Sequence, residues 1–374
     1  MKKIAIVHDG IFCRGGGERV LLKIINAFPN ADIYTSIYDS ENTFPEFKKY
    51  HIRVTWLQHF VKNERMFKLL FYPSAILAMQ SLDLRNYDLL IITGTHCSKY
   101  IKASPKAAIV YYCFTPFRLA WNPSSYSAYL NSSGIKKIAL EFIISRLKKI
   151  DYKHAQKITN FIAMTDETAQ RIRDAYGFSG EVAIINPSID TSKFEFSNEH
   201  GDFYLIVSRL EKYKMVELAI QVFNDIGKKL IIIGQGTEKE NLKKQAKSNI
   251  LFYESMDDAQ LIDFYKRCKA LIFPQHEDYG LTPIEANACG KPVIAYSKGG
   301  VRATQIPYSN ENPNKWTAIF FEEQSKDSLE EAIKLFESLE PDRSFIKEHS
   351  KKFDDTIFQR KILQYVSGVM DTNR

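Results

Sequence analysis

The sequence predicts an α/β protein made of two Rossmann-like, doubly wound domains. Three features carry this reading. Short apolar, β-type runs alternate with helix-patterned segments. The alternation starts afresh past the middle of the chain. A run of three glycines separates the first strand from the first helix.

In chain order, Lys3 to His8 is a short apolar run, Gly15-Gly16-Gly17-Glu18 a loop, and Val20, Leu21, Ile24 and Ile25 recur at helical spacing. Strand, glycine loop and helix form the opening unit of a doubly wound sheet. Ala31–Ser36, Leu89–Thr93 and Ala107–Tyr112 follow as strands, and Phe161–Met164 precedes a helix over Thr168–Tyr176. The turn-forming Asn186-Pro187 closes this series. The second series runs through strand Phe203–Ser208, helix Met215–Phe223, strand Lys229–Ile233, the loop Gly234-Gln235-Gly236 and strand Leu251–Tyr253. It continues with helix Asp258–Cys268, strand Ala270–Phe273, helix Thr282–Cys289 and strand Pro292–Tyr296. The domains expected are residues 1–185 and 186–357. A last helix, over Phe353–Met370, gives its part from 358 to 374 back to the first domain.

At 374 residues, 45% hydrophobic and 25% charged, the chain has the length of two domains that each bury a core. Cys13, Cys97, Cys113, Cys268 and Cys289 are widely spaced, with no CxxC pair and no zinc-type cluster, which reads as reduced thiols in the cytoplasm. The opening MKKIAIVHDG runs straight into a strand instead of forming a signal peptide. The longest apolar region, Leu69 to Leu82, is broken by Pro73 and too short for a bilayer. The expected location is cytoplasmic, peripheral on the inner face of the cytoplasmic membrane.

A net charge of +7 favours anionic partners. Lys136, Lys137, Arg146, Lys148, Lys149, Lys153 and Lys157 interleave with Ile138, Leu140, Phe142, Ile143, Ile144 and Leu147. This basic amphipathic pattern admits two readings, attachment to an anionic membrane surface or a surface helix with a solvated basic face. Nucleic acid is not expected, because the basic residues are not interleaved with aromatics as a stacking platform requires.

The segment Phe273 to Ala286 carries the strongest chemical signal. A buried strand ends at Pro274, a loop holds His276, Glu277, Asp278, Tyr279 and Gly280, and a helix begins around Leu281–Thr282 with Pro283 early in its first turn. The amides of that turn form an anion site suited to a diphosphate. Glu285, one turn in, suits a hydroxyl pair such as a ribose diol, and Glu277 could reach sugar hydroxyls. In Ser208–Lys214, Arg209 ends a strand and Lys214 precedes a helix, so both cations would hang over the same crevice as a diphosphate clamp. The glycine loop Gly15-Gly16-Gly17 is a weaker signal, since it is not GxGxxG; its amides face the cleft from the other domain.

These residues resemble the retaining glycosyltransferases of family 4, which have the two-domain GT-B fold with a cleft between the domains. Glu277 and Glu285 match the family's pair of glutamates, and Arg209 and Lys214 its phosphate-binding cations. His8-Asp9 with Gly15–Val20, Tyr112–Arg118 and Lys298-Gly299-Gly300 are similar to bacterial O-antigen mannosyltransferases. The resemblance implies a nucleotide-diphosphate sugar donor, GDP-mannose favoured, transfer with retention, and no metal or other cofactor. It implies a lipid-diphosphate-linked, glycolipid or polysaccharide acceptor. Glu277, Arg209 and Lys214 are then catalytic, and Gly16, Gly17, Tyr279, Gly280, Leu281, Thr282 and Glu285 bind the donor. His96, Phe114 and Arg118 lie near acceptor and sugar.

Two positions depart from the family. Phe114 stands where relatives carry a histidine that contacts the sugar near O6, which suggests a 6-deoxy sugar or substitution by His96. Ala303 stands near a usual glutamate. Trp121 could border the acceptor, though a large aromatic packs more often than it binds. Two rival readings are a sugar-nucleotide epimerase on the same fold and a catalytically quiet scaffold of a polysaccharide-synthesis complex.

Overall fold

The computed structural model describes residues 2–61, 74–254 and 256–372. Part of the apolar region Leu69 to Leu82 lies outside the described residues. The chain divides into two compact units, Met1–Asn186 with Phe358–Arg374, and Pro187–Ile357.

The strands of the first unit are β1 (Ile4–His8), β2 (Asp32–Thr35), β3 (Ile52–Val54), β4 (Asp83–Leu84), β5 (Leu89–Gly94), β6 (Lys102–Ala103), β7 (Ala108–Cys113), β8 (Asn160–Ala163) and β9 (Val182–Ile184). Among the described residues, seven form one sheet in the order β3-β2-β1-β5-β7-β8-β9, and β4 pairs β6 separately. Every pairing in the large sheet is parallel. The strand order reverses between β1 and β5, which marks the topological switch point at their carboxyl ends.

The second unit repeats this plan with β10 (Phe203–Val207), β11 (Lys229–Ile233), β12 (Ile250–Tyr253), β13 (Leu271–Phe273), β14 (Val293–Tyr296) and β15 (Ala318–Phe321). Their order is β12-β11-β10-β13-β14-β15, again all parallel. The switch point lies between β10 and β13. Central strands are apolar on both faces because helices cover both: Leu205, Leu230, Ile232 and Ile294 are wholly buried. Each such side chain contributes roughly 1.5–3 kcal/mol of hydrophobic stabilisation.

The segment returning to the first unit belongs to the helix Asp355–Thr372. Its Tyr365 hydroxyl donates to the Phe161 carbonyl (3.4 Å), and Phe358 lies edge-on to Tyr112. At its start, the Ile189 amide donates to the Phe353 carbonyl, the Asp355 amide to the Ile189 carbonyl, and the Ser188 hydroxyl to the Asp355 carboxylate.

The basic stretch, apart from Lys157, lies in the helix Gly134–Ala155. Only a narrow line, Ile144, Leu147, Asp151 and Ala155, is buried. Asp151 anchors it: the carboxylate pairs with the wholly buried Lys99 ammonium (2.7 Å) and accepts from Tyr100 Oη and Trp121 Nε1 (2.8 Å each). A buried ion pair is tolerable when its remaining lone pairs are satisfied, as here. Trp121 thus packs, with its indole committed to Asp151 and its ring edge-on to Tyr176.

Candidate active site

The loops at the carboxyl edge of the second sheet bring the strongest sequence signals together. Ser208–Lys214 follows β10, Pro274–Leu281 follows β13, and Lys298-Gly299-Gly300 follows β14. The loop after β11 braces the first of these: Leu210 N–H donates to the Gln235 carbonyl (2.8 Å), and Glu238 N–H to that of Leu210 (2.9 Å). Gly299 and Gly300 admit the Glu277 loop. Gly300 N–H donates to the Glu277 carbonyl (2.8 Å). A Cβ on Gly299, whose φ is +87°, would lie 2.2 Å from that oxygen, and one on Gly300 would lie 2.3 Å from the Asp278 carbonyl oxygen. The glycine pair is therefore required by close backbone approach.

Lys214 and Glu277 form an ion pair. The expectation had Lys214 gripping a phosphate and Glu277 reaching sugar hydroxyls; the structure joins them. The reason is electrostatic: the ammonium is nearly buried, and a buried charge without a counter-ion is costly. Met215, just after Lys214, is the one non-glycine residue at positive φ (53°) among the described residues. It turns the chain from the Lys214 loop into the helix Val216–Ile226. Arg209 is exposed, and its guanidinium donates to the Tyr213 hydroxyl (2.9 Å).

The helix Thr282–Ala288 begins as expected, with Pro283 in its first turn. Leu281 and Thr282 are half-buried at its start. Gly280 has φ +93°, and a Cβ there would strike the Phe273 ring at 2.7 Å, so its glycine is already explained by fold geometry. Tyr279 is buried, its hydroxyl donating to the Pro187 carbonyl (2.7 Å). Glu285 is also buried, and its Oε2 accepts from Tyr265 Oη (2.7 Å). Tyr265, twenty residues earlier in the chain, is a partner that no local pattern marks.

In the first unit, Gly16 and Gly17 open the helix Gly16–Ala27. Glu18 turns back here: it is buried, its carboxylate accepts from the Cys13 thiol (3.1 Å), and a Cβ on Gly15 would meet its Oε2 at 2.5 Å. An acidic side chain thus already sits in the first turn, where the helix dipole favours it. Phe114 is half-buried, edge-on to His8 and Tyr112, and a Cβ on Gly17 would lie 3.1 Å from its ring. Arg118 starts the short helix Arg118–Trp121.

His96 lies on the loop after β5, its side chain 33% exposed and its Nδ1 3.4 Å from Asp9 Oδ2. Burial alone would raise the Asp9 carboxyl, but the His96 hydrogen bond and the charges of His96 and His8 outweigh it and hold the group well below the usual carboxylate range. The neighbouring His8 is buried, shares a 2.6 Å hydrogen bond with the Thr93 hydroxyl, and is driven down to about 4 by burial.

Residues 188–353 match the family model described as glycosyl transferases group 1. The chain is similar to the alpha-1,3/1,6-mannosyltransferase ALG2 of Saccharomyces cerevisiae, with 23% identity over 84% of this chain and 74% of the yeast protein. Its fold is similar to that of HepE from Anabaena in complex with UDP, at a TM-score of 0.68 and 15% identity, covering 98% of this chain and 100% of that one. Sucrose-phosphate synthase from Thermosynechococcus elongatus gives a TM-score of 0.71 at 15% identity over 100% of both chains. A group 1 domain in the second unit, a mannosyltransferase relative along most of the chain and two parallel sheets with a shared strand order agree: the chain is a GT-B-fold glycosyltransferase like those of family 4.

Proposed function

We propose that this glycosyltransferase moves a sugar, with retention at the anomeric carbon, from a nucleotide-diphosphate sugar to a lipid-linked or polysaccharide acceptor in surface-polysaccharide synthesis such as that of O-antigen. GDP-mannose is the favoured donor, in keeping with the mannosyltransferase relative; a UDP-sugar is the alternative, in keeping with a structural neighbour solved with UDP. The observation that carries the proposal is the pairing of Lys214 with Glu277 at the switch point of the second sheet, beside the start of the helix Thr282–Ala288.

Cleaving a sugar–phosphate bond puts negative charge on the leaving diphosphate and positive charge on the sugar ring. Lys214, Arg209 and the amides of Leu281 and Thr282 offset the first, without calling on a metal ion. Glu277, beside Lys214, suits hydroxyls or positive charge on the sugar. The expelled phosphate oxygen takes the acceptor's proton on the same face, which accounts for retention without a protein nucleophile. Glu285 orients the ribose, and Phe114 stands where the resemblance implies an imidazole that donates to O6.

The helix Gly134–Ala155 supports attachment to the inner face of an anionic membrane. Opposite its buried line, Ile135 (86% exposed), Ile138 (68%) and Phe142 (60%) form a stripe at helical spacing. Arg146, Lys149 and Lys153 continue the same face. Apolar residues followed by cations along one exposed face suit acyl chains and phosphate headgroups. Among the described residues no helix is long and apolar enough to cross a membrane.

The test is a donor panel of GDP-mannose, GDP-fucose, UDP-glucose and dTDP-rhamnose, with the anomeric configuration of the product read by NMR. The proposal expects one donor to be used with retention. An inverted product, or no transfer from any donor to membrane-lipid acceptors, contradicts it. If Phe114 selects against O6, a 6-deoxy donor is preferred and Phe114→His shifts preference toward the hexose; strict hexose use, unmoved by that change, contradicts this part.

A further inference from the structure

Within the second unit, the helix Arg343–Ser350 and the chain just after it border a cavity of about 310 Å³. Phe345, Glu348, His349, Lys351, Lys352 and Ile357 line it. None of them belongs to the loops after β10, β13 and β14. The volume is at the small end for small-molecule sites and suits a ligand no larger than one sugar ring with a substituent.

His349 sets the chemistry of this cavity. The residue is 8% exposed, its Nε2 donates to the Thr304 carbonyl (2.8 Å), and Phe353 lies edge-on to its ring at 5.6 Å. A carbonyl only accepts, so Nε2 carries the hydrogen and Nδ1 of the neutral ring is an acceptor. Nδ1 is buried and has no hydrogen-bond partner. Buried polar atoms are nearly always satisfied, and an orphaned one calls for an explanation. Burial, with the charge of Lys352 adding to it, holds His349 below its ordinary value of 6.5, so the ring is neutral at pH 7. An acceptor nitrogen on a fixed ring is therefore available to a hydroxyl.

The two lysines differ. Lys351 pairs with Glu348 (2.5 Å), whereas Lys352 is exposed and makes no ion pair among the described residues. Phe345 and Ile357 are half-buried and supply an apolar wall. We propose that this cavity is a second small-molecule site, separate from the donor loops, and that it takes a hydroxyl-bearing phosphate ester of monosaccharide or glycerol size. A ligand hydroxyl donates to His349 Nδ1, the phosphate pairs with Lys352, and the C–H faces lie on Phe345 and Ile357. The site stands independently of the glycosyl transfer proposed above.

The test uses the full chain labelled with 15N-histidine. The His349 resonances are assigned by their loss in His349→Gln, or by elimination among the other histidines if that variant does not fold. Glycerol 3-phosphate and glucose 6-phosphate are the probes; inorganic phosphate, glucose and dihexanoyl phosphatidylglycerol are the controls. The expected result is an Nε2–H tautomer and a shift of the His349 Nδ1 resonance with at least one ester. Lys352→Ala is expected to weaken that ester's binding about tenfold or more and to leave the thermal response to nucleoside diphosphates as in wild type. An Nδ1 unmoved by both esters overturns the proposal, as does unchanged affinity in Lys352→Ala. Inorganic phosphate or glucose binding as tightly as the esters overturns it too, since one of the two contacts is then idle. A response to the short-chain lipid without one to the esters makes this a lipid contact and contradicts the proposal. Esters displaced by nucleoside diphosphates sit at the donor loops, which also contradicts it. A chain that binds an ester here and no nucleoside diphosphate counts against the donor reading alone.

Discussion

The Lys214 ammonium, 8% exposed, pairs with the Glu277 carboxylate, 24% exposed, although the two residues come from loops after different strands. The pair assigns them separable roles. Lys214→Ala removes the cation offered to phosphate and is expected to weaken nucleoside diphosphate binding about tenfold or more. Glu277→Ala keeps the cation, so binding persists while sugar transfer falls by about two orders of magnitude. It also leaves a nearly buried ammonium without its counter-ion, at about 1–3 kcal/mol of stability. Calorimetry with nucleoside diphosphates and urea unfolding of both variants check this.

Gly299 and Gly227 both have positive φ, but only Gly299 faces backbone: a Cβ on Gly227 meets nothing within 4 Å. Gly227→Ala is expected to cost about 1 kcal/mol from backbone strain alone. Gly299→Ala must also push the Glu277 carbonyl away, and is expected to cost roughly 2 kcal/mol more. Equal unfolding midpoints for the two variants would show that the Glu277 loop is not seated on the glycine pair.

His8 gives the fold a pH dependence. Its ordinary value of 6.5 falls to about 4 in the folded chain because burial disfavours the imidazolium. The unfolded chain therefore binds more protons between these values, and stability is lost as pH falls from 6.5 toward 4, by up to about 3 kcal/mol. His154, also lowered to about 4 by burial, and His349, lowered by burial, act in the same direction. Urea unfolding of wild type and His8→Gln at pH 7 and 5 isolates the His8 share; the variant's loss should be smaller by about 1–2 kcal/mol.

Ile138 and Phe142 contribute little to the core, so Ile138→Asp with Phe142→Asp is expected to leave stability within about 1 kcal/mol of wild type. The same change places charge on the face proposed to meet lipid. Wild type should float with vesicles containing phosphatidylglycerol and not with pure phosphatidylcholine, and the double variant should float with neither. Flotation of the variant equal to wild type would remove the helix from the proposed attachment.

The central strands were legible because parallel strands covered on both faces are continuous apolar runs; β10, β11, β13 and β14 lie within one residue of their expected ends. The edge strands β3 and β9 escaped the reading. Only three residues long, they mix exposed or half-buried positions with apolar ones and leave no clear run. The helix Gly134–Ala155 was legible as basic and amphipathic, but sequence did not separate its buried line from the exposed apolar stripe beyond it. At the site, their positions on loops after strands placed Lys214 and Glu277 near one crevice. Their pairing, the Tyr265–Glu285 bond and the bonds from the amides of Thr95, His96, Cys97 and Ser98 to the Asp9 carboxylate are long-range contacts that local pattern does not encode.

The central claim is that the loops around β10 and β13 bind the diphosphate of a sugar nucleotide. Thermal unfolding with GDP, UDP, dTDP and CDP, in wild type and in an Arg209→Ala, Lys214→Ala double variant, addresses it directly. A nucleotide at 100 times its dissociation constant should stabilise wild type by about 2.7 kcal/mol, and the double variant should lose most of that gain. If none of the four stabilises the wild-type chain, or if the double variant responds as strongly, the diphosphate is not held by Arg209 and Lys214.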